Sequence, residues 1–252
     1  MITQSFHEDK DSLFSPGAFL GERKTLCDTA IATFSHKIFH AVLEQYPHQE
    51  VAHTGSANGH RPVYLLDLPD RQVIFYLSSI GSCLAGNDII EIQWQTGFTR
   101  LILFGSAGAL DSQATAGKYV LPTYAYRDEG MSYHYAPPAD FIRIPHSETL
   151  AAIFDRLHLP YVMGKTWTTD APYRETRSAV AQRKQDGCLT VEMELAGVQA
   201  VCDFYGIELY DFLVTGDVLD GAVYVPDGLV EANHAIDKFF VALKIIEQLS
   251  GA

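Results

Sequence analysis

Short runs of β-branched, aliphatic and aromatic residues recur along the chain, and most of the stretches between them have helical spacing. The runs are almost continuously apolar, which is typical of strands that are covered on both faces of a sheet. They predict strands at residues 63–68, 72–79, 100–105, 118–125, 161–168, 188–193 and 207–216. Apolar residues three or four positions apart predict helices at residues 87–96, 195–205 and 229–249, and a further helix at 25–45.

The order of these elements predicts the fold class. Strands that alternate with helices are typical of a layered α/β domain with a parallel or mixed sheet. No internal repeat, proline-rich linker or charge block divides the sequence, so residues 1–252 are expected to form a single domain. Residues 126–144 are rich in aromatic residues, histidine and proline but have no period, which predicts a long loop over one end of the sheet.

Composition and charge exclude several classes of protein and of binding partner. Hydrophobic residues make up 47% of the chain and aromatic residues 12%, which excludes a disordered protein. With 18 basic and 31 acidic residues, the net charge of -13 repels nucleic acids and anionic membranes, and neither is expected as a partner. The four cysteines form no CxxC pair, and neither a signal peptide nor a membrane span is predicted, so a cytoplasmic location without a metal site is expected.

A glycine-containing segment follows one predicted strand. Residues 103–109 read Leu-Phe-Gly-Ser-Ala-Gly-Ala, so Gly105 and Gly108 bracket small residues. Such glycines let a ligand approach the backbone and free N–H groups for an anion. An ordinary transition from strand to turn has the same appearance. The spacing is neither GxGxxG nor a P-loop, so no nucleotide-binding motif of those types is supported.

Two glutamates stand where a strand is expected to lead into a helix. In Glu192-Met193-Glu194, a carboxylate can accept hydrogen bonds from both hydroxyls of a sugar diol, while the thioether packs on the ring. Alternatively, both glutamates complement the positive N-terminus of the helix.

Asp217 ends the apolar run 212–216, where α/β sheets place ligand-binding groups. Burial there would raise its pKa and let it donate a proton near neutral pH. The alternative is an aspartate that only forms a turn or a helix cap.

The segment 127–137 concentrates hydrogen-bond donors and aromatic rings. It is expected either to line a pocket or to be a surface loop held by its own packing. Its His134 is expected to be structural.

Together, these motifs resemble the nucleoside phosphorylase superfamily, which includes purine nucleoside phosphorylases, uridine phosphorylases and methylthioadenosine nucleosidases. The resemblance covers about residues 63–221, and its most specific part is Val-Glu-Met-Glu at 191–194. Segment 105–110 is similar to the family's glycine-rich strand end, and 127–137 to the uridine phosphorylase stretch R-x-D-G-x-S-x-H-F-A-P. The resemblance implies a three-layer αβα sandwich around a mixed, distorted central sheet, and a homo-oligomer.

The resemblance also implies how a nucleoside binds. Glu194 would bind the ribose 2′ and 3′ hydroxyls, with Met193 packed on the sugar and Glu192 supporting this shell. His7 would reach the ribose of a neighbouring subunit. Asp217 would protonate N7 of a purine as the glycosidic bond breaks.

The segment that stacks on the base in this family aligns with residues 170–173, beginning at Asp170. Pro172 occupies the usual phenylalanine position, so Tyr173 and Trp167 are expected to supply the aromatic surface. The uracil-reading Q-x-R of uridine phosphorylases is absent, which, together with Asp217, favours a purine.

The expected phosphate site departs from the family pattern. Leu103 stands where phosphorylases carry an arginine, and their N-terminal G-D-P-x-R is missing, with Gly17 in its nearest remnant. Arg61 is the candidate for the arginine that reaches a neighbouring subunit. Ser106 and the N–H groups around Gly105 remain as phosphate ligands.

Three functions therefore stay open. The first is a nucleoside phosphorylase that uses phosphate as co-substrate and no cofactor. The second is a nucleosidase that uses water, which Leu103 favours. The third is a nucleoside-binding protein that has lost turnover.

Overall fold

The computed structural model describes residues 1–9, 11–57 and 59–250, and these form a mixed sheet between layers of helices. Among the described residues no helix has the length and apolar character that a membrane crossing requires. The strands are β1 (Thr29–Thr33), β2 (His48–Ser56), β3 (Gly59–Asp67), β4 (Gln72–Leu77), β5 (Arg100–Ala109), β6 (Tyr119–Asp128), β7 (Phe141–Arg143), β8 (Tyr161–Thr169), β9 (Cys188–Glu192) and β10 (Glu208–Val218). The α-helices are α1 (Gly17–Leu20), α2 (His36–Gln45), α3 (Ser82–Thr96), α4 (Ser112–Thr115), α5 (Ser132–Tyr135), α6 (Ser147–Arg156), α7 (Arg177–Gln185), α8 (Leu195–Tyr205), α9 (Leu229–His234) and α10 (Asp237–Ser250).

The sheet is strongly distorted because β5 and β10 each have pairings that close part of it on itself. Strands β4, β1, β5 and β10 lie side by side and parallel, so their carboxyl ends share one edge. Strand β10 also pairs antiparallel with β6, and β6, β8 and β9 run parallel to one another. Strand β9 then returns to β5 in antiparallel orientation, which completes a circuit of five strands.

The alternation of side chains along β1 shows how the layers form. Ala30 and Ala32 lie in the apolar cluster that contains α3 and α8, whereas Ile31 lies in the cluster on the other face, with α2, α6 and α10. Successive strand side chains point to opposite faces, so a fully buried strand joins two cores. This arrangement confirms the predicted three-layer αβα sandwich around a mixed, distorted sheet.

The seven predicted strands are all present, with ends shifted by a few residues, but the predicted helix at 25–45 is wrong in its first half. Strand β1 lies there, and α2 begins only at His36. A buried apolar run of five residues cannot be assigned to strand or helix from its period alone. Serine is a preferred residue at the start of a helix, and Ser35 marks the start of α2 in the sequence. In the structure its Oγ accepts the N–H of Ile38 at 3.2 Å.

Two other predicted stretches differ from the structure. The helix predicted at 229–249 is divided into α9 and α10, and the loop predicted at 126–144 contains the end of β6, α5 and β7. The Arg127 guanidinium holds this segment, donating to Ser132 Oγ at 2.8 Å and to the carbonyl oxygens of Pro137 at 2.6 Å and Ala136 at 3.3 Å. The segment is therefore held by its own packing.

Candidate active site

A cavity of about 930 Å³ lies beside the carboxyl ends of β1, β9 and β10 and the middle of β5. Chain segments that are distant in sequence form its wall: 33–36, 104–108, 172–180, 191–194, 217–224 and 229–238. Strand β10 approaches β5 closely at Gly108, where an added Cβ would lie 2.4 Å from Leu219 Cδ1 and 3.4 Å from Asp217 Oδ1. Glycine at this position thus allows Asp217 to lie against β5 at the cavity wall.

Glu192 and Glu194 both line the cavity, but their carboxylates have different partners. Glu192 Oε2 accepts the N–H groups of Glu194 and Leu195, each at 2.7 Å, and its Oε1 accepts the Thr168 hydroxyl. Glu194 Oε1 accepts the N–H of Gly81 at 2.6 Å. Gly81 has a φ of 91°, a backbone conformation that favours glycine. Glu192 therefore binds the N-terminus of α8, whereas Glu194 faces away from its own helix.

The surroundings of both carboxyl groups disfavour a negative charge. Burial raises the pKa of Glu192, and the hydrogen bonds that its carboxylate accepts lower it by a smaller amount. Burial and the charge of Glu192 raise the pKa of Glu194. A positively charged sugar beside Glu194 would lower that pKa again, because opposite charges stabilise each other in a site with little water.

Asp217 and Glu175 occupy another part of the cavity wall. Burial raises the pKa of Asp217, and a hydrogen bond with the Tyr224 hydroxyl opposes this shift. Burial and the charge of Asp217 raise the pKa of Glu175 to about 7. Tyr173 and Val180 line the same cavity. The cavity wall therefore combines two acidic groups with an aromatic ring and an aliphatic side chain, which suits a heteroaromatic base.

Three basic residues form a third part of the wall, and we call His36, His234 and Lys238 the basic recess. Lys238 is only 2% exposed, and its ammonium donates to the carbonyl of Ala232. Burial lowers the pKa of Lys238 to about 8. The rings of His36 and His234 lie 5.4 Å apart, and His234 Nδ1 shares a hydrogen bond of 2.7 Å with Ser35 Oγ.

Neutral hydrogen-bonding groups adjoin the basic recess. Ser106 Oγ is hydrogen-bonded to Asn233 Oδ1, which connects β5 with α9. Gly105 lines the cavity beside Ser106. Burial and the positive charges of Lys37, His36 and Lys238 lower the pKa of His234. An anion in the recess would relieve this repulsion.

Seven of the predicted site residues line the cavity, namely Gly105, Ser106, Tyr173, Glu192, Met193, Glu194 and Asp217. Two predicted base-binding residues do not line it. Trp167 is buried in a separate apolar cluster, and its indole N–H donates to Asp128 at 3.0 Å. Asp170 accepts the N–H of Gly130 at 3.1 Å. Both side chains therefore hold the segment around β6 and β8 in place.

Three residues predicted to bind phosphate or ribose also lie outside the cavity lining. Arg61 forms an ion pair of 2.6 Å with Asp88. Gly17 packs against the ring of Trp94, and His7 is exposed near the N-terminus. The predicted roles of Arg61 and His7 depend on a second subunit, so they stay predictions.

Glu175, Asn233 and the basic recess were not predicted from the sequence. Polar residues at the start of a helix, such as His36, also occur wherever a helix meets solvent. Ser35 and His234 are 199 positions apart in the sequence, so no local pattern indicates their hydrogen bond.

Comparison with known proteins identifies the family of this chain. The model of the phosphorylase superfamily matches residues 18–243. The chain belongs to the phosphorylase superfamily. A relative in this comparison, the uncharacterized protein R802 of Acanthamoeba polyphaga mimivirus, is 28% identical over 173 residues, which are 66% of this chain and 68% of the relative.

Solved structures of other proteins share the fold of this superfamily member. Purine nucleoside phosphorylase from Toxoplasma gondii, in complex with immucillin-H, has a TM-score of 0.71 and 19% identity, and the match covers 89% of this chain and 92% of that one. AMP nucleosidase from Bacteroides thetaiotaomicron has a TM-score of 0.69 and 17% identity, with 90% of each chain covered. The 5′-methylthioadenosine/S-adenosyl homocysteine nucleosidase of Campylobacter jejuni has a TM-score of 0.69 and 18% identity, with 88% of this chain and 99% of that chain covered. At these identities the likeness shows the fold, and it includes both phosphorylases and nucleosidases.

Proposed function

We propose that this protein cleaves the N-glycosidic bond of a purine nucleoside with inorganic phosphate as the acceptor, which gives a free purine base and ribose 1-phosphate. The observation that carries the proposal is the presence of three chemically different groups in one cavity. These are the carboxylate of Glu194, the acid Asp217 and the basic recess. They match the sugar, the leaving base and an anionic nucleophile.

The Glu194 carboxylate suits a ribose whose charge changes during the reaction. As the glycosidic bond breaks, the sugar acquires positive charge, and a buried carboxylate stabilises that charge better than it stabilises the neutral nucleoside. The Glu194 oxygen that does not bind Gly81 is the one available to the ribose hydroxyls. Met193, which lines the cavity between the two glutamates, offers an apolar surface to the sugar ring.

Asp217 suits the departure of the base. The electron pair of the C1′–N9 bond moves into the purine ring, and a proton from Asp217 to N7 neutralises it there. Burial raises the pKa of Asp217, so the protonated form persists closer to neutral pH. Tyr173 lines the cavity and is fully exposed, so its ring is available to a bound base.

The basic recess supports phosphate as the nucleophile. Lys238 is buried, and among the described residues it forms no ion pair with a carboxylate. A buried ammonium without a counter-ion is costly, so it is an expected partner for an anionic ligand. Ser106 and the two histidines supply further hydrogen bonds. A phosphate oxygen would attack C1′ as the bond to N9 breaks.

Hydrolysis is the second candidate, and one observation favours it. Leu103 is buried within β5, and Arg177 is the only arginine among the described residues that line the cavity. A water molecule would then replace phosphate, with a histidine of the basic recess as its base.

The reaction products distinguish phosphorolysis from hydrolysis. Purified protein is incubated with inosine, adenosine and methylthioadenosine, with and without phosphate, and base and sugar products are separated by chromatography. Phosphorolysis requires phosphate and gives ribose 1-phosphate, whereas hydrolysis gives free ribose without phosphate. Nucleoside binding without release of base would contradict both and indicate a binding protein.

A further inference from the structure

Ser82 has no part in the mechanism above, although it is buried against the turn that carries Glu194. It is the first residue of α3 and is 0% exposed. Its N–H donates to the carbonyl oxygen of Met193 at 2.9 Å. Its hydroxyl lies 3.1 Å from that oxygen and 3.1 Å from the carbonyl oxygen of Glu194, and it donates to both. The start of α3 thus binds two of the peptide units that connect β9 with α8.

The residue before Ser82 binds the side chain of the same glutamate. The N–H of Gly81 donates to Glu194 Oε1 at 2.6 Å. Two successive residues, Gly81 and Ser82, therefore hold both the carboxylate and the backbone of Glu194. The direction of this carboxylate depends on how closely the start of α3 is held to the start of α8.

The two helices approach each other closely at Ser82. On α8, a Cβ added at Gly197 would lie 2.7 Å from Ser82 Cβ and 3.0 Å from Ser82 Oγ. A second close approach lies one turn further along α3, where a Cβ added at Gly86 would lie 3.2 Å from Val201 Cγ2. Interiors packed this tightly leave a buried side chain little freedom to change its rotamer. The Ser82 hydroxyl is thus fixed on the two carbonyl groups.

Loss of this hydroxyl would not leave a buried carbonyl without a partner. The Met193 carbonyl would still accept the N–H of residue 82. The Glu194 carbonyl also accepts the N–H of Val198 at 3.0 Å, the first hydrogen bond of α8. An unpaired buried acceptor is the main cost of deleting a hydrogen-bond donor, so Ser82→Ala is expected to fold.

We propose that Ser82 is a positioning residue, which fixes the turn 193–194 so that Glu194 presents its second carboxylate oxygen to the ribose hydroxyls. The inference rests on the proposed function. A carboxylate that is held in place before the reaction stabilises the developing positive charge of the sugar without first being ordered. Without the hydroxyl, the turn would move relative to α3, and the carboxylate would be less precisely placed.

A double-mutant cycle of Ser82→Ala and Glu194→Gln tests the proposal, with kcat/KM for inosine as the readout. Ser82→Ala should lower kcat/KM about tenfold when Glu194 is present but less than about twofold in Glu194→Gln, since a residue that acts through a carboxylate has no effect once it is removed. The loss should fall on kcat rather than on KM, because the sugar is charged only in the transition state. A 2′,3′-dideoxynucleoside should be nearly insensitive to Ser82→Ala.

Ser147→Ala is the matched control. Ser147 is the buried first residue of α6, and its hydroxyl donates to the carbonyl of Ile144 at 3.1 Å. The substitution removes the same kind of hydrogen bond from the same helical position, but Ser147 does not line the cavity. The kcat/KM for inosine should therefore be unchanged in Ser147→Ala.

Other results would overturn the inference. An unchanged kcat/KM in Ser82→Ala would show that the hydroxyl does not position Glu194. An equal loss with and without Glu194, or on both substrates, would indicate a purely structural role. If the wild-type protein releases no base at all, the proposed function fails, but positioning is still measurable at Gly81. Hydrogen exchange of its amide, followed by NMR, should be faster in Ser82→Ala than in the wild type and in Ser147→Ala, and equal rates would contradict the inference.

Discussion

The backbone N–H of Glu194 donates to the carboxylate of Glu192 at 2.7 Å, so the first glutamate binds the peptide unit that carries the second. The N–H of Leu195 binds the same oxygen, which places the Glu192 charge at the N-terminus of α8. The helix-terminus interpretation of this motif therefore applies to Glu192, whereas Glu194 binds the N–H of Gly81 and not its own helix.

Glu194→Gln should remove transition-state binding without unfolding the protein. The loss should be about 2–4 kcal/mol in kcat/KM, because a charge-assisted bond strengthens as the sugar becomes positive. A 2′,3′-dideoxynucleoside lacks the hydroxyls and should be nearly insensitive to the change. Steady-state kinetics with both substrates checks this, and equal losses would contradict a role in binding the diol.

The same glutamates predict a pH dependence of stability. Burial raises the pKa of both groups above the value of 4.5 that they have when unfolded, so the folded state binds protons more tightly. The free energy of unfolding should consequently be highest below about pH 5 for these groups and should fall as the pH rises to about 8. Urea denaturation across this range should show a smaller decrease in Glu194→Gln. A decrease as steep as in the wild type would assign the effect to other carboxyl groups.

Asp217→Asn should slow the release of purine by about 10²–10⁴-fold, since it removes the proton donor. The loss should fall on kcat, because proton donation belongs to the transition state. A nitrophenyl riboside should lose far less. The control is Asp220→Asn, since Asp220 lies outside the cavity lining and binds Ser112. Selective loss in Asp220→Asn instead would show that the roles of the two aspartates had been exchanged.

The strands, and the position of the Glu-Met-Glu motif at the cavity, were predictable because their signals are local. Each strand is a short apolar run, and Glu192, Met193 and Glu194 are contiguous at the end of one of them. Strand β1 was missed because five buried residues next to a helix carry no distinguishing period. Lys238 was missed because a lysine on an amphipathic helix normally faces solvent, and its burial depends on how α9 and α10 pack over β5.

We expect a homo-oligomer at micromolar concentration, with His7 and Arg61 near a neighbouring subunit's cavity. The specific activity should then fall on dilution below the dissociation point. Light scattering together with activity measurements checks this, and a fully active monomer would contradict it.

Lys238→Met should make the folded protein more stable but weaken its binding of phosphate. Burial lowers the pKa of Lys238 from 10.5 to about 8, so the charged form is less stable in the folded protein than in the unfolded chain. Replacing it with an apolar side chain should raise the free energy of unfolding at neutral pH by about 1–3 kcal/mol. The wild type should become more stable relative to the variant as the pH rises from about 8 towards 10.5, where the lysine loses its proton in both states.

The same variant should lose its response to phosphate. A ligand that binds only the folded state stabilises it, so phosphate should raise the melting temperature of the wild type, and it should do so far less in Lys238→Met. The KM for phosphate should rise by about 10–100-fold, as expected for the loss of a charge-assisted hydrogen bond. Lys244→Met provides the matched control, because Lys244 is exposed on the same helix and does not line the cavity. If phosphate stabilises Lys238→Met as strongly as the wild type, the basic recess is not the phosphate site, and hydrolysis becomes the better account of the cavity.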